Sequence, residues 1–256
     1  MTVAVIAAIA GLAALSAVAF AATIVGTNGN DNLTGTPGHD LIVAKTGNDH
    51  VNALAGNDRV FAGSGDDTVN GGLGRDRIAL GAGNDVANGG LGRDLVQGNG
   101  GNDNISGDRG NDRLFGGDGN DTVSGNAGSD LMSGGAGDDR QFGGPGNDRI
   151  FANKGVDETF GGDGNDDLWA LCRCDVTGPG DPVGDTLHGE NGNDTIHVRD
   201  GEVDNVDCGP GNDTVFADTF DNVAADCERV LRREPRPRED RSENATQNPA
   251  DDHKTS

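Results

Sequence analysis

Every ninth residue from Leu33 to Leu168 is a candidate inward position, set in a polar, glycine-rich background whose period never slips. The series is Leu33, Ile42, Val51, Val60, Val69, Ile78, Ala87, Val96, Ile105, Leu114, Val123, Met132, Gln141, Ile150, Thr159 and Leu168; fourteen of the sixteen are apolar. Around each stands one nonapeptide, G-G-x-G-N-D-x-U-x with U apolar, of which Gly116 to Ser124 (GGDGNDTVS) is a clean copy. It repeats sixteen times between Gly26 and Trp169 without insertion or deletion. The first six residues of the unit are turn formers, and the last three, x-U-x, predict a short strand with one side chain turned inward. The β-branched and Leu residues at U favour strand over helix, and glycine every few residues makes helix untenable. One strand per nine residues means two strands and two turns per coil of eighteen, hence eight stacked coils. The predicted fold is all-β, a parallel β-roll (β-solenoid) with two facing sheets.

Beyond Trp169 the period breaks. An excursion from Ala170 to Pro179 precedes two further copies, Gly180 to His188 and Gly189 to His197. A second excursion, Val198 to Asp207, precedes another copy at Cys208 to Phe216. Residues 23–169 are therefore read as the regular roll, 170–231 as its irregular C-terminal end, and 232–256, rich in Pro, Arg and Glu with no apolar period, as a disordered polar tail. Residues 1–22 are apolar with small residues at Ala19-Phe20-Ala21, which suits a signal peptide or an N-terminal anchor and places the rest of the chain outside the cell. A basic segment ahead of the apolar run is missing.

Composition sharpens the problem. With 45 Gly, 33% hydrophobic residues and a formal charge of -24 in 256 residues, the chain cannot build an ordinary core, and such values normally predict disorder. Some added stabiliser is required, and the periodic acids point to a cation. Nucleic acid is disfavoured as a partner, since 43 acidic residues face 19 basic ones and phosphate binding needs clustered Lys and Arg.

Gly at the fourth place and Asp at the sixth never vary in the sixteen copies. Residues eighteen apart stack on successive coils, so the aspartates form two ladders. Asp31, Asp49, Asp67, Asp85, Asp103, Asp121, Asp139 and Asp157 line one edge, and Asp40, Asp58, Asp76, Asp94, Asp112, Asp130, Asp148 and Asp166 the other. Asp185, Asp194 and Asp213 take the same place in the later copies. Carboxylates about 5 Å apart repel by about 0.8 kcal/mol in water and by about 3 kcal/mol at an effective dielectric of 20. Repeated over two ladders, that repulsion rivals the net stability of a domain. A hard divalent cation between turns reverses its sign, and glycine turns can aim backbone carbonyls at the ion. Calcium, which takes six to eight oxygens, suits the pattern better than magnesium, which demands a tight octahedron. Asn could serve a turn as well as Asp, yet it never stands at the sixth place. Asn at the fifth place, in nine of sixteen copies, is read as a turn former.

Four cysteines, Cys172, Cys174, Cys208 and Cys227, all follow the regular repeats. In an exported chain an even number favours disulfides, with Cys208 to Cys227 preferred because they flank one late repeat. No H-E-x-x-H, G-x-S-x-G or EF-hand loop is present, so catalysis and a small-molecule substrate are not expected. His188 and His197 are ninth-place residues of consecutive copies and should lie on opposite sheets. Phe142, Phe151, Phe160 and Trp169 occupy the ninth, outward place of four consecutive repeats, either under the C-terminal segment or as a partner-binding patch.

The repeat closely resembles the repeats-in-toxin, or haemolysin-type calcium-binding, family, over 144 uninterrupted residues and the later copies. The resemblance implies a parallel β-roll that is unfolded at low calcium and folds after export, with multiple Ca2+ ions held between turns by the aspartates and turn carbonyls. The signal-like N-terminus departs from the C-terminal export signal of many members, and no passenger domain accompanies the repeats. Two functions follow as expectations: an exported calcium-binding module switched by the external ion, or a structural or adhesive spacer, stiffened by calcium, with a cell-surface or matrix partner of unknown identity.

Overall fold

The computed structural model describes residues 21–170 and 184–233. Consecutive strands alternate between two parallel sheets. One has twelve strands, from Thr23–Val25 to Arg229–Arg232, and the other eleven, from Asn32–Thr34 to Asn222–Val223. The chain therefore winds about eleven times, confirming the predicted roll and carrying it through the irregular C-terminal copies. Throughout the regular repeats each strand residue pairs with the one eighteen positions on, as in Arg113 with Leu131 and Leu114 with Met132. The excursions change the coil length without shifting the strands sideways: ladder spacing becomes 28, then 19, and finally 17 and 15.

Most strands are longer than the three residues expected. Arg59–Ser64, a representative, spans six residues and alternates outward and buried from Arg59 to Ala62. It thus runs through x-U-x into the first three places of the next unit, so the first place, assigned to the turn by sequence, also faces inward. Where that place is not glycine the side chain joins the core: Ala44, Ala53, Ala62 and Leu80 are wholly buried beside the U residues. A two-residue alternation continuing across the unit boundary was the available signal.

Glycine at the fourth place is set by coil stacking. Gly119 has φ of 131°, and a Cβ there would collide with the Gly101 carbonyl oxygen on the preceding coil. From Lys45 onward the second place also adopts the left-handed conformation, in glycine as well as in non-glycine residues such as Lys45, Leu54, Asn126 and Glu190. Such residues carry steric strain that the stacked turns impose.

The two non-apolar U residues explain each other. Gln141 and Thr159 are neighbours on adjacent strands; the Thr159 hydroxyl donates to Gln141 Oε1 at 3.2 Å, and Gln141 Nε2 donates to the Phe151 carbonyl at 3.0 Å. Their buried polar atoms are therefore paired. At the C-terminal end Cys208 and Cys227 form a disulfide with Cα atoms 5.2 Å apart. The preferred pairing holds, and closing such a loop contributes about 3 kcal/mol. Cys172 and Cys174 lie outside the described residues, as do the N-terminal apolar segment and most of the polar tail. No helix among the described residues is long and apolar enough to cross a membrane.

Thr159→Val alone is expected to cost about 1–3 kcal/mol by stranding Gln141 Oε1, whereas Gln141→Met combined with Thr159→Val should be near neutral. Urea unfolding of the calcium-loaded protein measures both.

Candidate metal centres

The strands deliver the sixth-place aspartates to the two edges of the roll, where all nineteen sequence-predicted residues fall into two continuous ladders. In the first, the Asp31 N–H donates to Asp49 Oδ1 at 2.7 Å, and the same bond links each member to the next through Asp157, Asp185 and Asp204. In the second, the bonds run from Asp40 through Asp58 to Asp194 and Asp213. Three further members escaped the sequence reading. Asp204 and Asp221 extend the first ladder, and Glu228 ends the second by accepting the Asp213 N–H at 2.9 Å. Each is followed by the x-U half of the motif, as in Asp204-Asn205-Val206, Asp221-Asn222-Val223 and Glu228-Arg229-Val230. The missing G-N in front hid them.

Oδ1 is thus engaged, but Oδ2 is not. From Asp49 to Asp148 every ladder Oδ2 is buried and lacks a hydrogen-bond partner, as is that of Asp166, Asp185, Asp194, Asp204 and Asp213. Burial pushes these carboxyls up, and neighbouring rungs add to the shift while the backbone N–H opposes it. Asp112, Asp121, Asp148 and Asp194 rise to about 7 and Asp139 to about 8, from an ordinary 3.8. The N-terminal end is different. Thr27 N–H and hydroxyl donate to Asp31 Oδ2 at 2.5 and 3.0 Å, and Thr36 does the same for Asp40 at 2.5 and 3.1 Å. These first rungs are capped by protein donors.

Glycine at the first place leaves space beside the bare oxygen. A Cβ on Gly89 would stand 2.8 Å from Asp94 Oδ2 and 3.1 Å from the Gly107 carbonyl oxygen of the next coil. Such cradles recur at Gly98, Gly107, Gly116, Gly125 and Gly143, each facing an Asp Oδ2 and a carbonyl oxygen. An all-oxygen donor set with an unsatisfied carboxylate oxygen per turn fits a hard cation of calcium's preferences. Ladder aspartates and first-place carbonyls would hold it, and the ion would supply the positive charge those oxygens lack.

The fifth-place asparagines are more than turn formers. Asn48 N–H donates to Asn30 Oδ1, Asn120 N–H to Asn102 Oδ1, and Asn165 N–H to Asn147 Oδ1, all at 2.9 Å. These bonds point toward the preceding coil, opposite to the aspartate bonds.

His188 and His197 lie on opposite sheets, as expected. Each extends a column of outward rings. On one sheet Phe142 stacks on Phe160 at 5.1 Å and Phe160 on His188 at 4.7 Å. On the other, Phe151, Trp169, His197 and Phe216 stack in turn. The guanidinium groups of Arg140 and Arg199 lie over the ends of these columns, and His197 Nε2 sits 3.3 Å from Asp167 Oδ1. The imidazoles are thus packing partners within the ring columns.

Among known families, the RTX calcium-binding nonapeptide repeat matches residues 19–51, 43–78, 79–114, 106–141, 133–168 and 180–202. No curated protein matches the chain.

Because the rung carboxyls have folded values raised above 3.8, protonation favours the coiled form. Without metal, that contribution is complete below about pH 4 and is lost as pH rises through about 6 to 8. In excess chelator the chain should therefore gain β signal in circular dichroism between pH 8 and pH 4, and calcium half-saturation should need more ion as pH falls below about 6.

Proposed function

This chain belongs to the family of RTX calcium-binding nonapeptide repeats, and we propose that it is an exported calcium-binding protein whose roll forms as Ca2+ fills the turns. The observation that carries the reading is the unbroken row of buried, unpartnered Oδ2 atoms from Asp49 to Asp148 on the two edges. At neutral pH these carboxylates cannot be stacked out of water without a counter-charge. A divalent ion beside each bare oxygen provides it, and since the oxygens converge only when coils stack, binding free energy becomes folding free energy.

Export is supported by the apolar N-terminal segment and by the Cys208–Cys227 disulfide, which belongs to an oxidising compartment. Outside the cell, calcium at the millimolar level matches the affinity of extracellular modules, so the chain would remain uncoiled until secreted. The reading assigns binding rather than catalysis. A structural or adhesive spacer is the second reading, favoured by the ring columns on the outer faces of both sheets, in which Phe151 is buried and Phe142, Phe160 and Trp169 are half-buried; in it the same ions stiffen the rod that carries those columns.

Circular dichroism and limited proteolysis during a calcium titration at pH 7.5, with magnesium as control, test the reading. A cooperative, calcium-specific gain of β structure and protease resistance is expected. A compact, resistant roll persisting in excess chelator would overturn it. Asp112→Asn with Asp121→Asn, which keeps an Oδ1 acceptor on both ladders but removes two carboxylates, should raise the calcium midpoint several-fold and lower the number of ions bound.

A further inference from the structure

The turn that enters Asp204 does not follow the nonapeptide. Ladder spacing there is 19 rather than 18, and the turn reads Arg199-Asp200-Gly201-Glu202-Val203 where the regular unit reads G-G-x-G-N. Two carboxylates thus stand where other turns offer glycine carbonyls. Asp200, Glu202 and Asp204 each bring a carboxylate oxygen within 4.8 Å of the other two, and all three are buried, at 0%, 3% and 0% exposure.

A cluster of acids alone would say little, but the second oxygen of Asp204 says more. Its Oδ1 accepts the Asp185 N–H at 2.8 Å, while Oδ2 is fully buried without a hydrogen-bond partner. The surrounding turn is held in place. Asp200 Oδ1 accepts the Glu202 N–H at 3.1 Å, and on the following turn Asp221 accepts the Asp218 N–H at 2.7 Å and the Asp204 N–H at 3.4 Å. Arg232 Nη1 donates to the carbonyls of Asp218 and Asp221, and Arg199 donates to those of Ala217 and Leu231.

We propose that Asp200, Glu202 and Asp204 form a separate calcium site, built from side-chain carboxylates, near the C-terminal end of the first ladder. It rests on the calcium reading above for the identity of the ion, and departs from it in lying outside the repeat motif. Calcium affinity rises with the charge of the ligand set. Three carboxylates in one turn exceed the single aspartate that a glycine turn contributes, so this site fills at lower calcium than the regular turns. It sits where the coil length changes from 19 residues before Asp204 to 17 after it, and an ion there fixes the register on which the preceding turns stack.

The test is equilibrium dialysis of the full chain against calcium, followed with the double variant Asp200→Asn, Glu202→Gln. The wild type should show a tight class of sites ahead of the main transition. The variant should lose one ion from that class and weaken its filling at least ten-fold, while the remaining ions still bind and the β signal at saturating calcium stays within about a tenth of wild type. Unchanged ion number and affinity in the variant would overturn the proposal while leaving calcium binding by the repeats intact. A wild type that binds no calcium would sink both readings together. Should the double variant not fold in saturating calcium, Glu202→Gln alone carries the same comparison, and an undiminished tight class there overturns the site.

Discussion

The roll depends on the fate of the second oxygen of each ladder aspartate. One oxygen is consumed by the backbone of the preceding coil, and that bond could equally be accepted by an asparagine. From Asp49 to Asp148 the other is buried with nothing to bond. An amide there would bury a donor in the same oxygen-lined space, which explains why the sixth place is Asp in all sixteen regular copies although turn chemistry alone would admit Asn. On the calcium reading proposed above, aspartate at that place meets a ligand requirement superimposed on a structural one. The bare oxygens are also what makes the metal-free coil costly at neutral pH, since desolvated like charges face each other along both edges.

The apolar contribution cannot offset this by itself. Each coil buries two U residues, and the first-place side chains Ala44, Ala53, Ala62 and Leu80 thicken the core toward the N-terminal half. From Gly89 to Gly143 glycine keeps the first place, so apolar volume is given up there in favour of open cradles beside the carboxylates. The two halves of the regular roll thus differ in packing, the first burying more apolar volume at the first place, while bare carboxylate oxygens run through both. Among the rungs up to Asp148, only the first two, capped by Thr27 and Thr36, have protein donors at this oxygen.

Most of this was legible because a strict period converts sequence position into spatial position. Spacing by eighteen gave the sheets, the stacking partners and both ladders, and it placed His188 and His197 on opposite faces. What escaped did so where the period or the motif weakens. The inward first place was masked by glycine, which shows no hydrophobicity in most copies and is betrayed only at Ala44, Ala53, Ala62, Leu80 and Ala152. Asp204, Asp221 and Glu228 were missed because a carboxylate followed by x-U suffices to join a ladder, while the preceding turn is free to change length. The bonding by fifth-place asparagines depends on the direction of a side chain toward the coil below, which composition does not encode.

That direction gives the solenoid a polarity. Aspartate oxygens reach back to accept N–H groups from the preceding coil, so each ladder needs a following coil to supply its last acceptor; asparagine oxygens accept from the following coil. An interior turn is therefore bonded on both sides, but the two ends present unlike problems. At the start, the first carboxylates have no earlier rungs and are satisfied by threonines within their own turns. At the finish, Asp213 would lack an acceptor for its N–H, and Glu228, with its longer side chain, supplies one from a shortened coil that the Cys208–Cys227 disulfide ties down. The irregular C-terminal sequence follows from this asymmetry: the repeat can be copied indefinitely, but it cannot end on a copy of itself.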